Sequence, residues 1–290
     1  MITVAVTGAS GFVGRRFVAC NRERYHIISL PLRDANPEAA NLEGVGAVVH
    51  LAGKAHQMEA IDDQVYFDVN YELTKKLAMR AKEQGVKQFI YISSTKVYGD
   101  DVKETLNELS PCYPDDAYGA SKLKAEIYVQ SLAGDNFTVA VVRPPLVYGP
   151  EVKGNMIRLL QLADKNYPLP FGSSGNARSM VFVDNLVALI NRIIEKNAAG
   201  IFVAGDLKPL ATDELITLIR KHLGKPRRLV TVPGLFRRVI KTLRPALYTR
   251  LFGSFVVDNN ATNRRLDFIP PYSTEQGIAG MVNWFKQANG

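Results

Sequence analysis

The sequence contains very little cysteine, and this scarcity narrows the classes of protein to which the chain can belong. Cys20 and Cys112 are its two cysteines among 290 residues, so a framework of several disulfides is excluded and a reducing cytoplasm is expected. The chain lacks an apolar run near the ~18 residues that a membrane-spanning helix needs, and it lacks the basic start of a signal peptide. Its four histidines are not paired at metal-ligand spacing, so we expect no metal site.

Acidic residues are almost absent from one stretch of the C-terminal third. Between Arg220 and Arg265 the chain has 12 Lys and Arg residues and one acid, Asp258, and the whole chain has a formal net charge of +8. We expect no nucleic-acid partner, because zinc-ligand spacing and stacking aromatic motifs are missing. A phosphate-bearing substrate or an anionic membrane surface fits this local basicity at least as well.

Within that stretch, apolar residues alternate with basic residues from Gly234 to Leu251. Two interpretations of this pattern remain open. The favoured one is a pair of helices that cover a phosphate-bearing substrate. The other is peripheral contact with an anionic membrane, to which each basic residue near the surface adds about 1 kcal/mol.

Short β-branched runs alternate with longer amphipathic segments in the first half of the chain. We predict strands at Ile2–Thr7, His26–Leu30, Ala47–Leu51, Gln88–Ser93 and Thr138–Arg143, and helices at Phe12–Arg24, Tyr66–Gln84 and Tyr118–Ala133. Almost wholly apolar strands separated by helices are typical of a parallel sheet that is buried on both faces. The predicted fold class is therefore α/β, a doubly wound parallel sheet with a smaller C-terminal lobe.

A glycine-rich turn follows the first predicted strand directly. Gly8-Ala9-Ser10-Gly11-Phe12-Val13-Gly14 has a glycine at every third position. The first glycine permits a tight turn, the second lets the backbone approach a pyrophosphate, and the third lets the helix pack closely on the strand. The N-terminus of that helix points free N–H groups at the phosphates. We predict a dinucleotide site formed by Gly8, Ser10, Gly11, Phe12, Val13 and Gly14.

The end of the second predicted strand bears on the choice of dinucleotide. An NAD site usually has an acid there, which binds the ribose 2′-hydroxyl. Pro31 occupies that position in this chain, and Arg33 follows. Arg33 either meets a 2′-phosphate or is a solvated loop residue. NADP(H) is favoured, and NAD(H) stays open.

Tyr118 and Lys122 are four residues apart, so on a helix their side chains lie on one face. The lysine charge is expected to lower the tyrosine pKa from about 10 toward the range useful for proton transfer. Ser94 follows the predicted strand Gln88–Ser93, at the edge where a doubly wound sheet presents its active site. Three such groups over a nicotinamide indicate carbonyl–alcohol redox chemistry, with Ser94, Tyr118 and Lys122 as the catalytic residues.

These residues resemble the extended short-chain dehydrogenase/reductase family, in its NAD-dependent epimerase/dehydratase branch. The resemblance covers nearly the whole chain, in the segments Gly8–Gly14, His50–Gly53, Asn70, Ser93–Gly99, Tyr118–Lys122, Arg143-Pro144, Val147–Pro150, Arg178–Asp184 and Leu266–Tyr272. It implies further contacts to the dinucleotide from Leu51, Ala52, Gly53, Asn70, Tyr118, Lys122 and Pro144. It also implies a UDP-sugar or dTDP-sugar substrate that contacts Ser94, Thr95 and Tyr118, with Arg178 and Arg250 at its diphosphate.

The domain division follows from the less regular pattern after Pro150. Ser179–Val183 and Ile201–Ala204 are predicted as strands that return to the main sheet, and Thr212–Leu223 as a helix. We therefore expect residues 1–150 and 177–205 to form the dinucleotide-binding domain. Residues 151–176 and 206–290 are expected to form the nucleotide-sugar-binding lobe. A homodimer remains one option for the assembly.

The residues after Ser94 narrow the expected reaction. Sugar 4,6-dehydratases of this branch have an Asp-Glu pair there, whereas this chain has Thr95 and Lys96, so a dehydratase is not expected. Segments such as Leu251–Ser254 and Pro270–Ser273 resemble a subgroup of bacterial O-antigen synthesis. That likeness implies NAD(P)H-dependent reduction at C4 of a UDP-4-keto-6-deoxy-(N-acetyl)hexosamine. A UDP-hexose or UDP-N-acetylhexosamine 4-epimerase with tightly bound NAD is the alternative, and a non-catalytic dinucleotide sensor is a third.

Overall fold

The apolar runs of the sequence fold into strands, and most of the amphipathic segments between them fold into helices. The structure, a computed structural model, describes residues 1–32, 37–54, 62–100, 104–234, 238, 242–243, 248–249 and 252–289. Its strands in chain order are β1 (Thr3–Thr7), β2 (His26–Leu30), β3 (Ala47–His50), β4 (Gln88–Ile92), β5 (Thr138–Arg143), β6 (Leu146–Tyr148), β7 (Leu169–Gly172), β8 (Met180–Phe182), β9 (Gly200–Val203) and β10 (Leu229–Thr231).

The helices connect these strands and cover them. In chain order the α-helices are α1 (Phe12–Asn21), α2 (Asp63–Phe67), α3 (Leu73–Glu83), α4 (Ala117–Ser131), α5 (Asn155–Asp164), α6 (Val183–Glu195), α7 (Thr212–Leu223), α8 (Asn260–Leu266) and α9 (Thr274–Asn289). A π-helical turn, Asp68–Glu72, joins α2 to α3, and 3₁₀ turns lie at Pro37–Ala39 and Thr95–Tyr98. Among the described helices, none is both long and apolar enough to cross a bilayer.

The main sheet is parallel, with the strand order β2-β1-β3-β4-β5-β9. The strand order therefore reverses at β1, which lies between β2 and β3. In an open α/β sheet, ligands bind beyond the carboxyl ends of the strands at such a reversal. The predicted doubly wound α/β fold is confirmed, and the reversal places the crevice between the loops after Thr7 and His50.

The strands of this sheet are buried on both faces, as their near-continuous apolar sequences predict. In β5, Ala140 and Val142 join the core cluster that contains Phe17 of α1. Their neighbours Val139 and Val141 join the cluster on the opposite face. Successive strand side chains point to opposite faces, so one apolar run fills two cores.

One strand prediction was wrong in its partner. Ile201–Ala204 joins the main sheet as β9, which pairs with β5. Ser179–Val183 instead contributes β8, which pairs with β6 in a separate two-stranded parallel sheet. The physical reason is that β9 already occupies the free edge of β5. Residue Val183 then begins α6 rather than continuing the strand.

A third apolar cluster lies beyond the main sheet and includes residues of α5, α7 and α9. Its fully buried members include Leu160, Ile216, Ile219 and Met281. Arg220, next to Ile219, is also buried, at 1% exposure. Its environment explains how a cation is accommodated there.

The Arg220 guanidinium satisfies all five of its N–H donors with backbone carbonyl oxygens. These carbonyls belong to Ala163, Lys165, Tyr167, Pro226 and Arg228, at distances of 2.9–3.4 Å. The planar fork therefore joins the end of α5 to the segment before β10. Lysine cannot replace it, because an ammonium has three donors that radiate from one point.

Arg220→Met should destabilise the fold by about 3 kcal/mol, because it leaves several buried carbonyls without donors. Urea unfolding followed by circular dichroism would measure this change. Arg227→Met is the matched control, since the Arg227 side chain is 64% exposed and lies 3.8 Å from Asp213. We expect little change in the control. Equal stability of the two variants would contradict the role given to Arg220.

Candidate active site

The three glycine positions of the loop leave little or no space for a side chain. Gly8 has a φ of +67°, and a Cβ there would lie 2.7 Å from the Ala52 backbone N. A Cβ on Gly14 would lie 2.0 Å from the Gly8 carbonyl oxygen, and one on Gly11 would lie 3.1 Å from it. The loop is therefore a bare backbone cradle, as a bound pyrophosphate requires.

The first turn of α1 presents its backbone to this cradle. Phe12 and Val13 pack their side chains against the apolar clusters, and their backbone N–H groups belong to the first turn of the helix, where N–H groups have no partner within the helix. The N-cap, Gly11, has no side chain to accept a hydrogen bond from them, and the first turn has no acid. Ser10 is exposed at the tip. An uncapped helix N-terminus of this kind is suited to phosphate, so the residues present fit a dinucleotide.

The end of β2 carries no acid among its described residues. Leu30 ends the strand, and Pro31 and Leu32 follow it. Arg33, the predicted partner of a 2′-phosphate, lies outside the described residues.

A buried chain of hydrogen bonds runs beneath the crevice. The Thr7 hydroxyl and His50 Nδ1 are 2.6 Å apart, and His50 Nε2 and the Thr74 hydroxyl are 2.8 Å apart. The Ala52 N–H donates to Thr7, and the Thr74 hydroxyl donates to the Asn70 carbonyl. Each hydroxyl has one proton, so Thr7 donates to Nδ1 and Nε2–H donates to Thr74. Burial lowers the pKa of His50 to about 3, which keeps this imidazole neutral.

Asn70 lies in the π-helical turn and joins three segments of the site. Its Oδ1 accepts from the Lys54 N–H at 2.8 Å, and its Nδ2 donates to the Ser121 hydroxyl at 3.1 Å. A Cβ on Gly53 would lie 2.9 Å from Asn70 Oδ1 and 3.6 Å from Lys122 Nζ. The structure therefore brings together the loop after β3, the π turn and the helix that carries Lys122.

Lys122 is buried, with an exposure of 5%. Its ammonium group donates to the Ile92 carbonyl at 2.7 Å and lies 4.5 Å from the centre of the Tyr91 ring. Burial lowers the pKa of Lys122 to about 7, and the Glu126 carboxylate opposes that fall. Glu126 is itself held by Arg143 at 2.6 Å in a fully buried ion pair.

Tyr118 and Ser94 meet at the carboxyl end of β4. The Ser94 side chain lies close enough to the Tyr118 phenol to act on its pKa, and the Tyr66 ring contacts Tyr118 edge-on at 6.0 Å. Burial raises the pKa of Tyr118 above its ordinary value, while the Ser94 side chain opposes the rise. This net direction is opposite to the lowering by Lys122 that the sequence predicted. The difference arises because burial removes solvent from the phenol and from the lysine alike.

The remaining predicted residues divide into two groups. Thr95 and Pro144 lie beside Ser94, since the Thr95 N–H donates to the Pro144 carbonyl at 3.0 Å. The partly buried Leu51 side chain packs against the core. Arg178 donates from its Nη1 to the carbonyls of Thr249 and Gly253 at 3.2 Å each, and its charge interacts with Asp100.

Arg250, the second arginine predicted at the diphosphate, lies outside the described residues. So does most of the basic stretch from Gly234 to Leu251, on which the membrane interpretation depended. Within the described ranges, no group of three or more His, Cys, Asp or Glu side chains is placed to hold a metal ion.

Several residues of the site were not predicted from the sequence. Asp116 caps α4 two residues before Tyr118, and its Oδ2 lies 3.1 Å from Lys96 Nζ. Its place directly before the helix is a capping signal that was available. Thr74 and Ser121 had no such signal, because their roles depend on partners that are distant in sequence.

A model of the NAD dependent epimerase/dehydratase family matches residues 4–205. The UDP-glucose 4-epimerase of Vibrio cholerae is 34% identical over 316 aligned residues, which cover 99% of this chain and 96% of that protein. The chain belongs to the NAD dependent epimerase/dehydratase family.

Two solved structures share the fold. UDP-glucuronic acid 4-epimerase from Bacillus cereus in complex with NAD has a TM-score of 0.79 at 20% identity and covers 100% of both chains. RMD from Pseudomonas aeruginosa complexed with NADPH has a TM-score of 0.80 at 21% identity, with 99% of this chain and 100% of that chain covered.

Gly14→Ala should weaken dinucleotide binding at least about tenfold, because the added methyl forces α1 away from the loop. Calorimetric titration with NAD⁺ and NADPH would measure this change. Gly134→Ala is the matched control, since a Cβ there meets nothing within 4 Å. Unchanged affinity in a folded Gly14→Ala variant would contradict the cradle.

Proposed function

We propose that this member of the NAD dependent epimerase/dehydratase family interconverts an alcohol and a ketone at C4 of a UDP-sugar. The observation that carries the proposal is the proximity of the Ser94 side chain to the Tyr118 phenol at the carboxyl end of β4. Tyr118 lies on α4 together with Lys122, whose Nζ lies next to Gly53 in the loop after β3. In this proposal Tyr118 as proton donor, Ser94 as hydrogen-bond donor and Lys122 as cation act around one position.

The proposed roles follow from the groups themselves. The Tyr118 phenol gives a proton to the C4 oxygen in reduction and removes it in oxidation. Ser94 donates a hydrogen bond to the same oxygen, which stabilises its developing negative charge. A bound nicotinamide dinucleotide supplies the hydride acceptor and donor for C4.

Lys122 and Asn70 support both partners in this proposal. The Lys122 ammonium, next to Gly53, lies where it can hold the nicotinamide ribose, and a hydroxyl partner there favours its charged form. The side-chain amide of Asn70 fixes the backbone of Lys54 and the hydroxyl of Ser121. The cradle of Gly8, Gly11 and Gly14 would hold the pyrophosphate.

Arg178 is the proposed ligand of the sugar diphosphate. Two carbonyl oxygens orient its guanidinium, and neutral acceptors of this kind do not cancel its charge. A bidentate contact from a guanidinium to phosphate is strong and directional. We propose that the lobe of residues 151–176 and 206–290 covers this diphosphate.

The first form of the proposal is 4-epimerisation. It is supported by the Vibrio cholerae relative, which is a UDP-glucose 4-epimerase and matches this chain over almost its full length. An epimerase oxidises C4 and then reduces the same sugar from the other face, so its dinucleotide is regenerated within each cycle.

The second form is reduction of a UDP-4-keto-6-deoxy-(N-acetyl)hexosamine, as in O-antigen synthesis. The observation that favours it is the apolar end of β2, where Pro31 and Leu32 follow the strand. Neither of these two residues offers the carboxylate that binds the ribose 2′-hydroxyl in a usual NAD site. A reductase consumes one dinucleotide per turnover and needs it to exchange, which weaker retention allows.

Tyr118→Phe should lower turnover by about 10²–10⁴-fold, because it removes the proton donor. Dinucleotide affinity should change little. Steady-state kinetics and dinucleotide titration would measure both effects. Tyr128→Phe makes the same change on the same helix, where the ring packs edge-on against Tyr71, and it should remain active. Near-normal turnover of Tyr118→Phe would remove the catalytic assignment.

The two forms differ in how much dinucleotide they consume. We would incubate the protein with UDP-glucose, UDP-N-acetylglucosamine and a UDP-4-keto-6-deoxy sugar, each with NADH or NADPH, and follow both the sugars and the reduced dinucleotide. Interconversion of C4 epimers without net consumption of dinucleotide supports epimerisation. Loss of one reduced dinucleotide per 4-keto sugar supports reduction. Turnover of none of these sugars would contradict both forms.

A further inference from the structure

Lys96 lies in the seam between the two elements that carry Ser94 and Tyr118. It belongs to the 3₁₀ turn Thr95–Tyr98, directly after Ser94, and its side chain is 26% exposed. Its ammonium group lies 2.5 Å from Asp100 Oδ2 and 3.1 Å from Asp116 Oδ2. The contact with Asp116 crosses from the turn to the start of α4, so it joins the two elements.

Asp116 uses its carboxylate for two tasks. One oxygen accepts from the Gly119 N–H at 2.7 Å and so caps α4. The other oxygen faces Lys96. Asp116 precedes Tyr118 by two residues, and its negative charge is one of the causes that raise the pKa of the phenol.

The backbones of the 3₁₀ turn Thr95–Tyr98 and of the start of α4 are also in close contact. A Cβ on Gly119 would lie 2.6 Å from the Lys96 carbonyl oxygen, so the first turn of α4 lies directly against the 3₁₀ turn. The Lys96 N–H donates to the Ser94 hydroxyl oxygen at 3.2 Å. Ser94 is therefore fixed by the backbone of the same residue whose side chain holds Asp116.

We propose that Lys96 is a positioning residue for Tyr118. The ammonium group of Lys96 neutralises Asp116 and holds the start of α4, the helix of Tyr118, against the turn that carries Ser94. This inference rests on the proposed function of Tyr118. Lys96 stands where sugar 4,6-dehydratases of this branch have an acid, and the proposal gives this lysine an electrostatic role of its own.

Other titratable and charged groups also lie near Tyr118 and Lys96, and their effects on the pKa of Tyr118 have to be distinguished from that of Lys96. Ser94 from the turn, Tyr66 from α2, Tyr91 from β4 and Asp116 from the start of α4 lie near Tyr118. Lys96 is faced by Asp100 and Asp116, and the Asp115 carboxylate accepts from the Asp100 N–H.

The sign of the expected effect follows from the charge of Asp116. Without Lys96, that carboxylate is no longer neutralised, and a nearby negative charge disfavours the phenolate. The pKa of Tyr118 then rises. A reaction that needs phenolate, such as oxidation of a C4 alcohol, slows at neutral pH and recovers as the pH increases.

Four variants separate charge from structure. Lys96→Met removes the charge, and Lys96→Arg keeps it. Asp116→Asn removes the opposing charge while its side-chain oxygen still caps the helix. The fourth variant combines Lys96→Met with Asp116→Asn. Lys221→Met is the matched control, because Lys221 also joins two helices through a carboxylate, Glu275, at 2.6 Å.

Two readouts follow the phenol in protein saturated with NAD⁺. One is the pH profile of kcat for UDP-sugar oxidation or epimerisation. The other is the near-ultraviolet absorbance of phenolate, with the Tyr118→Phe spectrum subtracted to isolate Tyr118. The second readout needs no turnover, so it tests Lys96 even if the tested sugars are not substrates.

In Lys96→Met we expect kcat to fall several-fold at neutral pH and to approach the wild-type value at high pH, with the phenolate titration shifted upward. Lys96→Arg and the double variant should titrate near wild type, as should Lys221→Met. If Lys96→Met does not fold, Asp116→Asn alone should shift the titration downward. Unshifted titrations, or an equal loss of kcat at every pH, would overturn the proposal.

Discussion

The neutral imidazole of His50 joins the two strand ends that border the crevice to α3. His50 at the end of β3 accepts from Thr7 at the end of β1 and donates to Thr74 in α3, which in turn donates to Asn70. This order of donors is possible only for an uncharged ring with its proton on Nε2. Because burial keeps the pKa of His50 near 3, the order persists at every ordinary pH. The two strand ends at the reversal of the sheet are therefore held in one fixed relation, on which the dinucleotide cradle depends.

The buried charged side chains of this site are connected to one another: Arg143 pairs with Glu126, and Glu126 acts on Lys122. Arg143 binds Glu126 and also donates to the Tyr98 hydroxyl, so the end of β5 is tied to α4 and to the 3₁₀ turn. Glu126 in turn lies one helical turn beyond Lys122 and opposes the loss of its charge. Removing one member of a buried pair leaves an uncompensated charge. The helix that carries Tyr118 is therefore fixed at its start by a capping carboxylate and in its middle by an ion pair.

Local sequence pattern predicted what is local in the structure. The strands around Val4–Val6 and Ile90 and the loop of Gly8 follow from apolar period and glycine spacing, and so does the common helix of Tyr118 and Lys122. The partner of β8 was not predictable, because it depends on which strand already occupies the edge of β5. Nor was the direction of the Tyr118 pKa, since spacing gives the distance to a charge but not the loss of solvent. Asp116 was visible as a cap but not as a neighbour of Lys96.

Arg220 has a consequence for how the chain can diverge. Its five partners are carbonyl oxygens, which every amino acid possesses. Substitutions at positions 163, 165, 167, 226 and 228 therefore leave the acceptors in place, whereas the arginine has no equivalent among the other side chains. Selection for this contact would therefore conserve Arg220 alone, and the five residues that supply the carbonyls could be substituted. Relatives could then remodel the surface of these two segments for different ligands while the path of the backbone stays the same.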